Sequence, residues 1–190
     1  MKSAGSAKIK VGILTVSDRG SRGEREDQSG KAIQEILGRI GAGLVQYRIV
    51  PDEPELIRKA LTEWSDQGLD LVLTTGGTGF SPRDLTPEAT KAVIERETPG
   101  ISEAIRLYGL NKTPRAMLSR AISGIRKSTL IINLPGSERG VRESLEAIIE
   151  ILPHGIEILK GTARECGSEP KKNNKICAQT RVSAPRRGKR

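Results

Sequence analysis

Apolar segments rich in β-branched residues alternate along this chain with segments whose apolar residues recur at helical spacing. Residues 8–16, KIKVGILTV, predict a strand buried on both faces, and residues 29–40 then place their aliphatic side chains on one side of a helix. A second strand over 44–50 leads into a helix that begins at Pro54. Strands that alternate with helices in this way predict an α/β fold.

The same alternation continues through the rest of the body of the chain. Proline and glycine mark most of the predicted boundaries, because proline favours the first turn of a helix and glycine its end. The remaining predicted elements are a strand over 69–75, a helix with Thr86 as N-cap and Pro87 in its first position, helices over 99–108 and 114–120, a turn at 124–126, a strand over 128–133, and one long helix over 138–160 that ends at Gly161.

Positive charge is concentrated at one end of the chain. The net charge is +9, but residues 160–190 hold ten basic and two acidic residues, so residues 1–159 carry only +1. We therefore divide the chain into an N-terminal extension over 1–7, one domain over 8–161, and a basic, disordered tail over 162–190. The tail has no aromatic residue to stack on bases, which favours a solvated tail over a nucleic-acid binder or a membrane anchor.

The cysteines and the apolar runs indicate where such a chain works. Cys166 and Cys177 both lie in the tail with no histidine nearby, so a disulfide or two free thiols are better interpretations than a zinc site. No apolar run has the length of a membrane span, and residues 1–10 lack the apolar stretch of a signal peptide. We expect a cytoplasmic protein that contacts no membrane.

Four loops are candidates for one ligand crevice. In open α/β sheets, ligands bind beyond the carboxyl ends of the strands. The predicted strands place the loops 17–30, 51–54, 76–86 and 133–137 at that edge. Each of these loops carries small or acidic residues.

The loop after the third strand, within LVLTTGGTGFSPRDLTPEATK, is rich in glycine. Gly76, Gly77 and Gly79 would let main-chain amides face a phosphate group, with Asp84 beside them. The spacing excludes a Walker loop, because Phe80 and Ser81 follow where Lys and Ser or Thr are required, and it also lacks the third glycine of the dinucleotide fingerprint. A tight structural turn remains an equal alternative.

Asp52 and Asp84 follow two different predicted strands and would converge on one crevice. Two carboxylates in such a place can bind Mg²⁺, which neutralises phosphate oxygens. The alternatives are that Asp52 caps the helix at Pro54 and that Asp84 pairs with Arg83 or Arg115 on the surface.

Two polar residues follow the first strand directly. Together with Asp27-x-Ser29-Gly30 before the first predicted helix, Ser17 and Asp18 could present hydroxyls and a helix N-terminus to an anion, although ordinary helix capping is the simpler interpretation.

Three separated segments resemble one known family. The segments ILTVSDRG with DQSG, TTGGTGFSPRDLTPEATKAVIERETPG, and MLSRAISGIRKSTLIINLPGS are similar, in this order, to the MogA/MoaB family of molybdenum-cofactor biosynthesis and to the plant Cnx1 and gephyrin G domains. The resemblance covers about residues 8–161. It implies a three-layer sandwich with a mostly parallel, mixed sheet, a homotrimer, and a protein partner for molybdenum insertion.

The resemblance also implies an activity and a set of site residues. Active family members are adenylyltransferases that use ATP and Mg²⁺ to adenylylate molybdopterin with release of pyrophosphate. The two essential aspartates of the family correspond to Asp52 and Asp84, as catalytic residues and metal ligands, with Ser119 and Ser128 on the pterin side. The complete set implied to bind molybdopterin or nucleotide is Ser17, Asp18, Gly76, Gly77, Thr78, Gly79, Arg83, Thr86, Ser119, Ser128, Asn133, Pro135 and Gly136.

The sequence departs from the family pattern in two places, of which the first could alter nucleotide contacts and the second leaves a partner role open. Ser137 and Glu138 replace the Asn-Pro or Ser-Pro that often follows the Pro-Gly pair, and the basic tail has no counterpart in the family core. The alternative to an enzyme is a non-catalytic molybdopterin-binding or scaffold module. The presence of both Asp52 and Asp84 argues for the enzyme.

Overall fold

The computed structural model of the protein describes residues 8–162. The predicted N-terminal extension over 1–7 lies outside the described residues. So does the tail beyond Thr162, with both cysteines and the predictions made for it.

A six-stranded sheet forms the centre of the fold. Its strand order is β2-β1-β3-β6-β5-β4. The pairs β1–β2, β1–β3 and β3–β6 are parallel, whereas β4–β5 and β5–β6 are antiparallel, so the predicted mixed and mostly parallel sheet is confirmed. The strands are β1 (Lys10–Val16), β2 (Gly43–Val50), β3 (Leu71–Thr75), β4 (Arg96–Glu97), β5 (Ser123–Arg126) and β6 (Thr129–Leu134).

Helices cover both faces of this sheet. They are α1 (Asp18–Ser21), α2 (Gln28–Leu37), α3 (Pro54–Asp66), α4 (Thr86–Lys91), α5 (Pro99–Leu110), α6 (Glu138–Ile148) and α7 (Leu152–Leu159), with 3₁₀ turns at Gly38–Ile40 and Pro114–Leu118.

Two apolar clusters join the layers of this sandwich. One cluster packs α2, α5, α6 and α7 against one face of the sheet, and the other packs α3 and α4 against the opposite face. Trp64 of α3 is fully buried in the second cluster, where only a glycine at position 12 leaves room for its ring. The predicted three-layer sandwich is therefore present.

The long helix predicted over 138–160 is wrong in one respect. The structure divides it into α6 and α7, which are separated by residues 149–151. Pro153 explains the break, because it has no N–H to continue the ladder and its ring clashes with the carbonyl of residue 149. Proline is tolerated in the first turn of α7, where it is found.

The turn predicted at 124–126 is also wrong, because those residues form β5. This strand pairs with β6 in a hairpin whose turn contains Lys127 and Ser128, and Lys127 has a left-handed φ of 52°. The short β4 pairs on the outer side of β5 and was not predicted. Neither strand gives a recognisable periodicity, because β4 has only two residues and β5 has four with a glycine among them.

None of the helices within residues 8–162 has the length and apolar character needed to cross a membrane.

Candidate functional site

The loops that follow β1, β2, β3 and β6 meet at one edge of the sheet, as predicted. The amide of Gly76 donates to Leu134 O at 3.3 Å, and the hydroxyl of Thr75 donates to Pro135 O at 2.6 Å. The hydroxyl of Ser29 on α2 donates to Gly136 O at 3.0 Å. These bonds join the glycine turn after β3 to the Leu-Pro-Gly loop after β6 and to the start of α2.

The glycine turn needs its glycines for steric reasons. Gly76 has φ +100°, and a Cβ placed there would overlap the carbonyl oxygen of Val16 on β1. Gly77 has φ +60°, and a Cβ there would overlap the hydroxyl of Thr86. A side chain at either position would therefore push apart the strands and the loop that form the crevice.

The amides of this turn are only partly free for a ligand. The prediction that Gly76 offers its amide to a phosphate is wrong, because that N–H is bonded to Leu134 O. Within residues 8–162, no hydrogen bond occupies the amides of Gly77, Thr78 and Gly79. These three donors remain available for an anion.

Two residues predicted to bind substrate are buried and use their side chains inside the fold, Thr86 on the glycine turn and Asn133 on β3 and α4. The hydroxyl of Thr86 donates to Gly76 O at 2.9 Å, and its side chain is fully buried. Thr86 is the first residue of α4 and not its N-cap, which is Leu85. The side-chain nitrogen Nδ2 of Asn133 donates to the hydroxyls of Thr74 and Thr90, both at 2.9 Å. Neither Thr86 nor Asn133 therefore reaches a ligand.

Asp18 and Asp52 hold each other by reciprocal hydrogen bonds. The amide of Asp18 donates to Asp52 Oδ2 at 2.9 Å, and the amide of Asp52 donates to Asp18 Oδ1 at 3.0 Å. Nη2 of Arg83 lies 2.7 Å from both carboxylate oxygens of Asp18. Three of the predicted residues thus form one network that links the loops after β1, β2 and β3.

The electrostatics of this network favour a bound cation. Burial raises the pKa of Asp52, and the negative charges of Asp18 and Asp84 raise it further, against a hydrogen bond from the Asp18 amide and the charge of Arg83. The hydrogen bond from the Asp52 amide and the Arg83 guanidinium hold the pKa of Asp18 below its usual value. A divalent cation would relieve the unfavourable charge on Asp52.

Asp84 lies beside the turn. Its Oδ2 accepts a hydrogen bond from the amide of Ser81 at 2.9 Å and would lie 2.9 Å from a Cβ at Gly79. The described residues contain no group of three or more acidic, histidine or cysteine side chains that could hold a metal alone. Asp52 and Asp84 could hold Mg²⁺ only together with ligand oxygens, and Mg²⁺ commonly binds in this way.

Two cavities flank the glycine turn. The larger, of about 430 Å³, lies between α5, the turn at Pro114–Leu118 and α6, and the smaller, of about 200 Å³, lies between α2 and the ends of β1 and β2. Thr78, Gly79 and Pro135 line the larger cavity, and Gly76, Gly77 and Gly136 line the smaller one. Both cavities thus share the glycine turn and the Pro-Gly pair as a common wall.

The serines predicted to bind ligand have different positions. Ser119 lines the larger cavity, and Ser17 lines the smaller one, where its hydroxyl also caps α1 by accepting the amide of Gly20 at 3.1 Å. Ser128 is exposed in the β5–β6 turn. It precedes the amino-terminal end of β6, whereas the crevice lies at the carboxyl ends of the parallel strands. The prediction that Ser128 lies with the crevice residues came from the family resemblance and is wrong for this chain, because Ser128 precedes the amino-terminal end of β6.

The structure gives Asp27 contacts beyond helix capping and places three arginines, which were not predicted, at the larger cavity. Asp27 Oδ2 accepts hydrogen bonds from the hydroxyls of Thr15 at 2.5 Å and Tyr47 at 2.6 Å, while its Oδ1 caps α2 by accepting the amide of Gly30 at 2.9 Å. Three arginines line the larger cavity, namely Arg106, Arg115 and Arg139. The capping interpretation of Asp27 is confirmed, whereas its bonds to Thr15 and Tyr47 and the positions of the arginines depend on tertiary packing.

Comparison with known proteins agrees with this geometry. Residues 12–154 match the family model described as "Probable molybdopterin binding domain". The chain is a member of the MogA/MoaB family. A molybdopterin adenylyltransferase of Helicobacter pylori J99 is 47% identical over 156 residues, which are 80% of this chain and 89% of that protein. Gephyrin of Dictyostelium discoideum is 46% identical over 78% of this chain, but only 22% of gephyrin is covered.

Solved structures of the MogA/MoaB family have the same fold. The molybdopterin biosynthesis enzyme MoaB from Thermus thermophilus is 55% identical, with a TM-score of 0.77 over 80% of this chain and 97% of that one. A MogA structure is 41% identical, with a TM-score of 0.76 over 79% of this chain and 99% of the other.

Proposed function

We propose that this chain is a molybdopterin adenylyltransferase of molybdenum-cofactor biosynthesis. The observation that carries the proposal is the pair of cavities that meet at the glycine turn, in a chain of a molybdopterin-binding family with relatives named for this activity. A transferase for two phosphate-bearing substrates needs two adjoining pockets with phosphate donors where they meet. The free amides of Gly77, Thr78 and Gly79 are such donors.

The larger cavity takes molybdopterin, and the smaller takes the nucleotide. The larger one has room for a pterin with its side chain, and its arginines complement the terminal phosphate of that substrate. The smaller one, lined by Ser17, Asp52 and Gly136, holds the adenylate that is transferred. Each substrate then brings its reacting phosphate to the shared wall.

The reaction is an in-line displacement at phosphorus. The terminal phosphate of molybdopterin is already ionised and attacks the α-phosphate of ATP, so that a new P–O bond forms while the bond to pyrophosphate breaks. No general base is required. The protein acts by holding the two phosphates in line and by stabilising the charge that moves to pyrophosphate.

Asp52 and Asp84 would hold Mg²⁺ together with substrate phosphate oxygens. The raised pKa of Asp52, caused by burial and by two nearby carboxylates, fits a site that a cation completes. Bound Mg²⁺ supplies charge neutralisation on the phosphates. Arg83 binds Asp18 through Nη2, and its remaining guanidinium N–H groups could donate to a substrate phosphate.

We further propose a homotrimer that works in the cytoplasm with a protein partner for molybdenum insertion. An exposed apolar patch on α5 and the following 3₁₀ turn supports self-association. It consists of Leu107, Leu110, Met117 and Leu118, which are between 39% and 64% exposed. The division into a domain over 8–161 with an extension and a tail remains a prediction.

The test is an adenylylation assay with molybdopterin, ATP and Mg²⁺ that measures pyrophosphate and adenylylated pterin. We expect product with the wild type and a loss of a hundredfold or more, on the order seen when a transition-state contact is removed, with Asp84→Ala. Asp66→Ala, which removes a carboxylate in an ion pair with Lys127 on the β5–β6 turn, is the matched control and should keep full activity.

If the wild type and Asp84→Ala both form adenylylated pterin only at the background level, the proposed enzymatic activity is contradicted. With molybdopterin binding retained, that result would favour the non-catalytic module. Nucleic-acid binding that disappears when residues 167–190 are deleted would instead assign a role to the tail.

A further inference from the structure

Arg120 joins the two ends of the loop that carries Asp84. Its Nε donates to the carbonyl oxygen of Gly79 at 2.7 Å, and its Nη2 donates to the carbonyl oxygen of Asp84 itself. Its main-chain amide donates to Thr78 O at 2.9 Å. One residue from outside the loop therefore holds three carbonyl groups of the segment 78–84.

Glu88 on α4 holds the guanidinium in place. Its carboxylate accepts from Nη1 of Arg120 and, at 3.4 Å, from Nη2. An exposed ion pair alone contributes little to stability. The Arg120 side chain is only 35% exposed, however, and two of its nitrogens are used on main-chain carbonyls. The ion pair between Arg120 and Glu88 therefore connects α4 to the loop 78–84 and to the segment before β5 that contains Arg120.

The orientation of the Asp84 carboxylate depends on the shape of this loop. Oδ2 of Asp84 accepts the amide of Ser81 at 2.9 Å, and the amide of Asp84 donates to Ser81 O at 2.9 Å. These two bonds close a tight turn from Ser81 to Asp84 inside the loop. Arg120 holds the ends together through Gly79 O and Asp84 O, which leaves Asp84 with a fixed direction.

We propose that Arg120 is a positioning residue that fixes the carboxylate of Asp84 for adenylyl transfer, and that Glu88 orients Arg120. The inference rests on the proposed function for its catalytic consequence, but the loop contacts that carry it do not. Arginine is required because its planar fork reaches two carbonyls at once, whereas a lysine ends in one ammonium group.

The first experiment measures the loop directly. Hydrogen–deuterium exchange of the ligand-free full chain is compared among wild type, Arg120→Lys, Glu88→Gln and Arg142→Lys. Arg142 is the matched control, since its guanidinium also joins two parts of the chain, through Glu35 and Glu138, but it lies outside both cavities. We expect amide exchange at Ser81 and Asp84 to rise about tenfold in Arg120→Lys, a few-fold in Glu88→Gln, and not at all in Arg142→Lys.

The second experiment measures the consequence for the reaction. For Arg120→Lys we expect a fall in kcat/KM of about tenfold to a hundredfold, the range expected for a displaced catalytic group, with a higher Mg²⁺ concentration at half-saturation. Unchanged exchange at Ser81 and Asp84 with unchanged kinetics would overturn the inference. If Arg120→Lys does not fold, Glu88→Gln decides the matter by the same two measurements.

The outcomes also separate this inference from the proposed function. An active wild type whose loop is unaffected by either substitution contradicts the role of Arg120 alone. An inactive wild type whose loop loosens in Arg120→Lys contradicts the proposed function and leaves the loop contact established.

Discussion

Single residues in the crevice serve as connections between loops. Asp18 follows β1, and it bonds to the amide of Asp52 after β2 and to the guanidinium of Arg83 after β3. Sequence analysis predicted all three as site residues but assigned Asp18 and Arg83 to substrate. Their contact with each other could not be foreseen, because 65 positions separate them and nothing in the sequence shows which charges meet.

Asp18→Asn tests this connection. Asparagine keeps an oxygen for the Asp52 amide but loses the charge that holds Arg83, so the loops after β1 and β3 separate and Asp52 is less well placed. We expect a fall in kcat/KM of about tenfold. Steady-state adenylylation kinetics measure it, and Asp66→Asn at the far edge of the sheet should leave kcat/KM at the wild-type value. An unchanged value in both variants would contradict the role of Asp18.

Gly76→Ala tests the steric requirement of the turn. The added methyl group overlaps the carbonyl oxygen of Val16, and alanine is strained at φ +100°. We therefore expect the free energy of unfolding to fall by about 1–3 kcal/mol. Urea denaturation measures this loss. Gly38→Ala is the control, because nothing lies within 4 Å of a Cβ there and its φ of −57° suits alanine. Equal free energies of unfolding in the two variants would show that the turn can accommodate a side chain at position 76.

At the scale of elements, the sequence predicts what depends on local pattern. The buried strands β1 and β3 and the helices α2 and α3 were predicted because each has the apolar spacing of its own type. The break before α7 was missed although Pro153 was visible. The short strands β4 and β5 depend on pairing with a partner, and pairing leaves no local pattern.

Tyr47→Phe tests how α2 is anchored to the edge strand β2. The Tyr47 hydroxyl donates to Asp27, the N-cap of α2, so its removal should cost about 1 kcal/mol near neutral pH. Burial and the hydrogen bond to Asp27 raise the pKa of Tyr47 above its usual value of 10.0. Its stabilising effect is therefore complete below pH 10.0 and is lost as the pH rises further.

Chemical denaturation at about pH 8 and at about pH 10.5 provides the measurement for Tyr47→Phe. We expect the stability difference between wild type and variant to be present at the lower pH and to shrink at the higher one. A difference that is the same at both would contradict the link to Asp27.

At the scale of the whole molecule, the sheet presents a crevice at one edge and an apolar patch on α5. The crevice was predictable because the carboxyl ends of parallel strands must meet at one edge. The division into two cavities was not, because α5 and α6 enclose the larger one by tertiary packing. Arg120 was missed for the same reason, since its three carbonyl partners lie 36 to 42 positions earlier in the chain.

Leu107→Asp tests the proposed homotrimer. Leu107 is 64% exposed within the apolar patch, so a charge there should prevent self-association with little effect on the isolated fold. Light scattering after size exclusion should give three times the chain mass for the wild type and one chain mass for the variant. Ile158→Asp is the control and should remain trimeric, because Ile158 is also exposed, at 56%, but lies on α7 outside the patch.

The common wall of the two cavities restricts how such a protein can change. Gly76 and Gly77 line the smaller cavity and Thr78 and Gly79 the larger, so a substitution that shifts the main chain of this turn changes both cavities together. Diversification must occur on the outer walls, along α5 and α6 for one substrate and around residues 25–28 for the other. A single inhibitor that spans the wall would for the same reason be difficult to evade by mutation, since resistance at the junction would impair the natural substrates as well.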